Sequence, residues 1–355
     1  MEMIEIDGAF GEGGGQILRT SIAISALTMQ PVSISNIRAG RPKPGLKKQH
    51  IAGIEVLAQL VSADVKGLEV GSTQVEFMPR ERKGGHFRYD VGTAGSISLI
   101  LQAALPAAVL SPEPVRFSLT GGTDVSWSPT IDYMREVFAH VLHIMGPVVE
   151  ISMSRRGHFP RGGGKVTCNV TPVRRIAPIE RERFGEIKQV RGLSHCVRLP
   201  AHVAERQANS AQEKLHENGI TDVLIERESY PKQEDKHLGA GSGIVIWAES
   251  FFGLRLGADN LGAKGKPAEE VGSECAEHLL KELSTGMAVD SHLCDMLIPY
   301  MALADGMSRI GVTEVTSHLK TNIWAAERLL DADFSLQGKL GEAGTLDVAG
   351  TGLAL

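Results

Sequence analysis

One supersecondary pattern comes round three times in this chain, and it restricts the possible folds more than any other feature. In the first copy the apolar spacing predicts an amphipathic helix over residues 16–28 and a strand over 31–37. A basic loop over 38–45 and a second helix over 46–61 follow. Residues 95–110, 114–120, 121–128 and 129–145 repeat that order, and 291–304, 308–313, 314–318 and 320–330 repeat it again. Each copy closes on two short β-rich stretches joined by a glycine turn: 65–70 with 74–78, 148–152 with 165–170, and 334–337 with 345–348. A recurrence of roughly 80 residues, each unit holding a sheet and two helices, calls for α+β layers stacked by pseudo-symmetry. The expected fold class is α+β, built from three repeated units.

The third copy is interrupted. From residue 187 to 265 the pattern becomes strand, charged helix over 201–217, strand over 222–226, polar loop, and a strand-rich run over 243–256. This predicts a small inserted α/β domain at 187–265, with 1–186 and 266–355 forming the catalytic domain. The mixed-sign runs 80–83 and 180–183 read as exposed linkers, and 232–237 as a mobile polar loop.

Composition narrows the function classes. Forty glycines and 42 % hydrophobic residues among 355 suit a globular enzyme with many tight turns. Aromatic residues are only 5 %, which argues against a broad base-stacking platform. A formal charge of −5 argues against coating long nucleic acid, while leaving room for a local cationic pocket that grips one phosphorylated end. Cys168, Cys196, Cys275 and Cys294 are widely spaced, with no CxxC and no Cys/His cluster of zinc-ligand spacing. Reduced thiols, an N-terminus too acidic for a signal peptide and the lack of any long apolar stretch predict a cytoplasmic protein with no membrane association.

Two glycine-rich runs stand out. Arg156-Gly157-His158-Phe159-Pro160-Arg161-Gly162-Gly163-Gly164-Lys165 surrounds three glycines with cationic or protonatable groups, a composition suited either to an anion cradle or to a tight turn with a basic rim. Gly11-Glu12-Gly13-Gly14-Gly15-Gln16-Ile17-Leu18-Arg19 opens a helix, where free N–H groups and the helix dipole favour an anion. Arg19, one turn further in, can reach the same anion. Glu12 is either a solvated first-turn acid or a carboxylate ligand to Mg²⁺. No GxxxxGKS/T segment occurs, and neither does the Lys-x-Asp-Gly nucleophile of the common ligases.

Together these runs resemble the RNA 3′-terminal phosphate cyclase family, whose pattern places RGxxPxGGG after its second repeat, and the resemblance covers nearly the whole chain. It implies three α+β units of βαβαββ type, as in the enolpyruvyl transferases, with a small domain inserted in the third. Ser317-His318-Leu319-Lys320-Thr321-Asn322 is similar to the His-x-x-Thr-Asn segment that carries the family's nucleophilic histidine. An imidazole titrating near about 6.5 is mostly neutral at pH 7 and keeps a lone pair for phosphorus. The alternative for His318 is a capping or packed residue.

The same resemblance puts Gln102, Pro129 and Asp295 at nucleotide-contacting positions, and Arg19, Arg41, Gln49 and His50 along the phosphate region. A Tyr-x-x-Asp-Gln segment of the family reads His292-Leu293-Cys294-Asp295-Met296 here. His292 can still stack on a base, whereas Met296 lacks the amide that would read the purine edge, so the choice between ATP and GTP stays open. Arg156, Arg161 and Lys165 fall beside the RNA end on this reading, with a structural turn as the alternative.

The implied activity is ATP-dependent cyclisation of an RNA 3′-phosphate to a 2′,3′-cyclic phosphodiester through a histidine–AMP intermediate. Its cofactors would be ATP and a divalent metal, Mg²⁺ or Mn²⁺, and its partner an RNA with a 3′-phosphate end. The sequence leaves monomer or homodimer open. Two other classes fit parts of the pattern: a non-catalytic RNA-binding or ribosome-assembly relative, which would lack His318, and an enolpyruvyl transferase-like enzyme, which would need no adenylylated histidine.

Overall fold

The computed structural model describes residues 3–354. Strand β1 (Ile4–Asp7) lies parallel to β2 (Val32–Ser35), with helix α1 (Gly15–Thr28) between them in sequence. Helix α2 (Lys48–Leu60) leads into β3 (Asp64–Lys66) and β4 (Val75–Met78), and the sheet runs β1-β2-β4-β3. Val32, Ile34, Val75 and Phe77 alternate along β2 and β4, are fully buried, and meet α1.

The second sheet repeats the order. Strand β5 (Gly85–Asp90) pairs in parallel with β6 (Val115–Gly121) across helix α3 (Ile97–Ala108). Helix α4 (Ile131–Tyr133), a π-helical turn at Met134–Phe138 and α5 (Ala139–Ile144) follow without a break. The hairpin β7 (Val148–Arg155) and β8 (Gly164–Thr171) completes the order β5-β6-β8-β7.

After the two-residue strand β9 (Glu180–Arg181) comes a separate sheet with its own helices. It holds β10 (Ile187–Val197), α6 (His202–Glu217), β11 (Val223–Glu228), β12 (Gly241–Ser250) and β13 (Arg255–Leu261), ordered β11-β10-β12-β13. Helix α7 (Ala268–Ser284), which the sequence pattern does not announce, packs on α6, β12 and β13. The chain then returns through α8 (Ser291–Leu303), β14 (Met307–Val312), α9 (Ser317–Leu329), β15 (Asp333–Gln337) and β16 (Gly344–Ala349). The sheet here is β9-β14-β16-β15, with β9 parallel to β14. Residues 180–183 are thus not only a linker, because two of them supply a sheet edge.

Three of the four sheets share one strand order and one set of pairing directions. The fold is a mixed α+β arrangement of several small sheets. Its helices interlock in a ring: α2 packs on α3, the π-helical turn on α8, and α9 back on α1. Helices α3, α8 and α9 are capped by Ser96, Asp290 and Thr316, each accepting from the amide three residues on. Helix α1 starts at Gly14 with no side-chain cap, so its first amides stay free.

Candidate active site

The ring brings the starts of α1, α8 and α9 together, and the functional geometry follows from that. The turn before α1 needs glycine: Gly13 has φ +55°, and Gly14 and Gly15 are closely overlooked by neighbours. A Cβ on Gly14 would lie 3.2 Å from the Arg41 guanidinium, and one on Gly15 would lie 2.5 Å from His50 Nε2. Free amides therefore sit between two nitrogen-bearing side chains, an arrangement suited to an anion.

His318 lies in the first turn of α9, three residues earlier than the sequence pattern starts that helix. The cap is Thr316, and the His318 side chain is 45 % exposed, so neither capping nor core packing accounts for it. Its Nε2 is 2.9 Å from Glu12 Oε2 and its Nδ1 is 3.8 Å from Asp295 Oδ2. Glu12 is also 3.8 Å from Arg41. Burial pushes the Asp295 carboxyl up to about 7, against the pull of His292 and of the Thr316 hydroxyl, which donates to Oδ1 at 3.4 Å. Asn322 donates through Nδ2 to the Asp295 carbonyl at 3.2 Å and accepts at Oδ1 from the Thr20 hydroxyl on α1 at 2.7 Å, locking α9 to both neighbours.

Beside His318 opens a cavity of about 450 Å³. Of the residues singled out in the sequence, Arg19, Gln102, Pro129, His292, Asp295 and His318 all line it. Burial lowers the Arg19 guanidinium to about 10, which still leaves it charged at neutral pH, and Asp295 opposes that shift. Gln102 Nε2 approaches the Met296 sulfur, a weak acceptor, at 3.1 Å. Pro129 is set by two anchors: its carbonyl accepts from Ser98 Oγ at 2.6 Å, and the next amide, Thr130, donates to Asp259 Oδ2 at 2.9 Å.

Gln49 and His50 stand one step away, lining a smaller cleft with Arg19 and Gly15. His50 Nδ1 accepts from the Lys47 amide at 3.0 Å, which leaves Nε2 as the protonated nitrogen, facing Gly15. Burial, helped by Arg19, Arg38 and Lys47, pushes this imidazole down to about 3, so it is a neutral donor. Arg38 is not free for a ligand, since its guanidinium donates to the carbonyls of Lys43 and Gly45 at 2.7 and 2.8 Å.

The Arg156–Lys165 run needs correction. Arg156 is buried, with a 2.6 Å ion pair to Asp132 and a 2.7 Å pair to Glu228, so it cannot touch an RNA end. At Gly162, Gly163 and Gly164 close packing by itself accounts for the glycines. A Cβ on any of them would come closer than 3.0 Å to Thr93, Leu238 or Thr123, so these glycines permit close packing. Arg161 and Lys165 are exposed. Asp124, in the loop that follows β6, is buried with Arg156 and does not line the cavity.

Asn322, the last residue of the His-x-x-Thr-Asn segment, lines the cavity too, and Tyr133, Phe138 and Asp259 line it having escaped sequence reasoning. Tyr133 and Phe138 look like ordinary core residues of a helix, and only the π-helical turn between them marks the place. Asp259 comes from β13, and no local pattern ties it to Pro129.

Glu12 offers one half-exposed carboxylate next to free amides, which fits Mg²⁺, an ion held by one or two carboxylates plus phosphate oxygens and water. The cavity and the α1 amides likewise fit a nucleotide, with an apolar slot at one end and anion donors at the other.

Comparison with known proteins identifies the family. A family model described as RNA 3′-terminal phosphate cyclase matches residues 10–336. A Methanopyrus kandleri protein named RNA 3′-terminal phosphate cyclase is 52 % identical over 348 residues, covering 98 % of this chain and 99 % of its own. Proteins of the same name from Pyrobaculum aerophilum and Pyrococcus furiosus are 50 % and 51 % identical, each over 98 % of this chain. They cover 99 % and 98 % of their own lengths. Among solved structures, the enolpyruvyl transferase NikO from Streptomyces tendae aligns at TM-score 0.40 and 12 % identity. That alignment covers 99 % of this chain and 49 % of NikO, a likeness too slight to argue from.

Proposed function

Because the chain belongs to the RNA 3′-terminal phosphate cyclase family, we propose that it closes RNA 3′-phosphates into 2′,3′-cyclic ends at the expense of ATP, with His318 carrying the AMP. The imidazole lies with Nδ1 3.8 Å from Asp295 Oδ2 and Nε2 2.9 Å from Glu12 Oε2, on the side of the α1 turn. Nε2 attacks the α-phosphorus of ATP, an N–P bond forms, and the bond to pyrophosphate breaks. An oxygen of the RNA 3′-phosphate then takes AMP from the histidine, giving a phosphoanhydride. The 2′-OH attacks the RNA phosphorus in line, loses its proton, and expels AMP. Nucleophile and electrophile share one ribose, so proximity carries this last step.

The base occupies the slot bordered by Pro129, His292 and Gln102, and the phosphates lie over Gly13–Gly15 towards Arg19, Arg41, Gln49 and His50. Glu12 would hold Mg²⁺ or Mn²⁺, which supplies charge neutralisation on the phosphates. What supports His318 above all is its position: exposed, not capping its helix, and set between Glu12 and Asp295 at the mouth of the cavity.

The three like-ordered sheets with their helices are read as repeats of one βαβαββ unit, and 187–265 as the inserted domain, against which α7, beyond the expected bound, packs. Four free, buried cysteines support a reducing, cytoplasmic setting. No helix among the described residues is long and apolar enough to cross a membrane.

The test is incubation with α-labelled ATP and Mg²⁺. An acid-labile, base-stable AMP adduct on the wild type, lost in His318→Ala, is expected. A folded wild type that forms no adduct, and no cyclic end on 3′-phosphorylated RNA, would overturn the reading.

A further inference from the structure

Beside the glycine turn of β7–β8, three potential ligands converge that do not line the nucleotide cavity. Asp124 follows β6, His158 lies in the β7–β8 connection, and His195 is on β10 of the β11-β10-β12-β13 sheet, the fourth sheet, whose strand order differs from the other three. All three are buried. The two Nε2 atoms are 3.2 Å apart, Asp124 Oδ1 is 3.7 Å from His195 Nε2, and Asp124 Oδ2 is 4.0 Å from His158 Nε2. Tetrahedral zinc with bonds of about 2.0–2.2 Å has ligand atoms roughly 3.3–3.6 Å from one another, so small rotations of the carboxylate complete the triangle.

The surroundings are built around this triangle. A Cβ on Gly241 would overlap the His158 ring, and one on Gly243 would lie 2.9 Å from His195 Cε1, so two glycines of β12 leave room for both imidazoles. Thr123 Oγ1 donates to Asp124 Oδ2 at 2.6 Å and orients the carboxylate, as groups behind a metal ligand commonly do. Charge favours a cation as well. Asp124, Asp132 and Glu228 face Arg156, with Arg135 reaching Asp132 from the rim at 3.0 Å, so three carboxylates meet two guanidiniums.

We propose that Asp124, His158 and His195 bind a divalent transition-metal ion, zinc foremost, with water as the fourth ligand, and that the ion fastens the fourth sheet to the second. Nitrogen and oxygen donors in a tetrahedral frame suit zinc better than Mg²⁺, which prefers six oxygens. The linear sequence hides the site because its ligands stand on three separate elements, outside the Cys/His spacings of common zinc motifs. A direct imidazole–imidazole hydrogen bond is the competing account of the 3.2 Å contact.

The experiment uses full-length protein without a histidine tag, stripped by chelator and reloaded with Zn²⁺ or Co²⁺ in excess Mg²⁺, which occupies carboxylate–phosphate sites. One zinc per chain surviving gel filtration is expected, together with tetrahedral d–d absorption of the cobalt form. Both should persist in His318→Ala and vanish in His158→Gln and His195→Gln, and zinc should raise the wild-type melting temperature. Substoichiometric zinc with no tetrahedral cobalt spectrum in the wild type would overturn the proposal and leave the hydrogen-bonded pair. So would zinc retained in a folded His158→Gln/His195→Gln double variant. If the variants do not fold, the wild-type stoichiometry and spectrum decide alone.

Discussion

Glu12 Oε2 stands 2.9 Å from Nε2 of His318, although 306 positions separate the two residues in the chain. On the proposed mechanism the attacking nitrogen is covered by a carboxylate until that carboxylate turns away. A metal and phosphates would offer Glu12 another partner, so loading ATP would free the nucleophile. Replacing Glu12 by Gln should slow AMP transfer by on the order of 10²-fold and shift the Mg²⁺ requirement upward, while His318→Ala forms no adduct at all. Single-turnover labelling at several Mg²⁺ concentrations measures both.

Asp295 predicts a pH signature. Its carboxyl is raised to about 7 from the ordinary 3.8, so between those values the folded state binds more protons than the unfolded. Stability from this group is full below about 4 and is lost as pH rises through 7. Glu282, also pushed up to about 7 by burial and by Asp290, adds a loss of the same sign in wild type and variant alike. Asp295→Asn should thus gain on the wild type in denaturant midpoint as pH climbs from 4 to 8, by at most about 4 kcal/mol, while losing AMP transfer. Paired urea melts across that range read the difference.

Asp259 should act on nucleotide binding from the fourth sheet. Asp259→Ala removes the acceptor of the Thr130 amide and loosens Pro129, so the KM for ATP should rise about tenfold with a smaller change in kcat. Asp259→Asn keeps an oxygen acceptor and should recover most of the loss. Steady-state cyclisation at varied ATP checks both.

Gly163 separates the packing role of its turn from anion binding. It has φ +72°, and a Cβ would meet Leu238, so Gly163→Ala should cost about 1–3 kcal/mol of stability. The KM values for ATP and for RNA 3′-phosphate should stay unchanged. A large rise in the RNA KM would restore the anion-cradle role to this run.

Arg156→Ala leaves Asp132 and Glu228 buried or half-buried without their guanidinium. The expected loss is about 3–5 kcal/mol, far larger than that of exposed Arg161→Ala, which should stay within about 0.5 kcal/mol. Thermal melts of the two variants compare them directly.

Much of this arrangement was readable in one dimension. The helices α1, α2, α3, α8 and α9 bury apolar residues at helical spacing, and the hairpins alternate, so local periodicity suffices to find them. Strands β5 and β9 were not readable: Gly85–Asp90 is mostly exposed and polar, Glu180–Arg181 is two charged residues, and each pairs in parallel with a distant segment. Helix α7 hid because its buried face is largely small, Ala268, Gly272, Cys275 and Ala276, among many charges. His318, Asp295 and Glu12 were visible through the resemblance of their segments, and the structure brings them together. Arg156 misled because its partners, Asp132 and Glu228, lie 24 and 72 positions away, and charge adjacent in sequence says nothing about them.

The closing of the helix ring has a consequence for synthesis. The glycines that would receive the phosphates are made first, and the histidine that faces them sits on α9, which packs back onto α1. A chain that has not yet emerged as far as residues 317–329 lacks the helix that closes the ring. If His318 carries the AMP as proposed, such an unfinished chain would form no adduct, and activity would arrive only with the last helix.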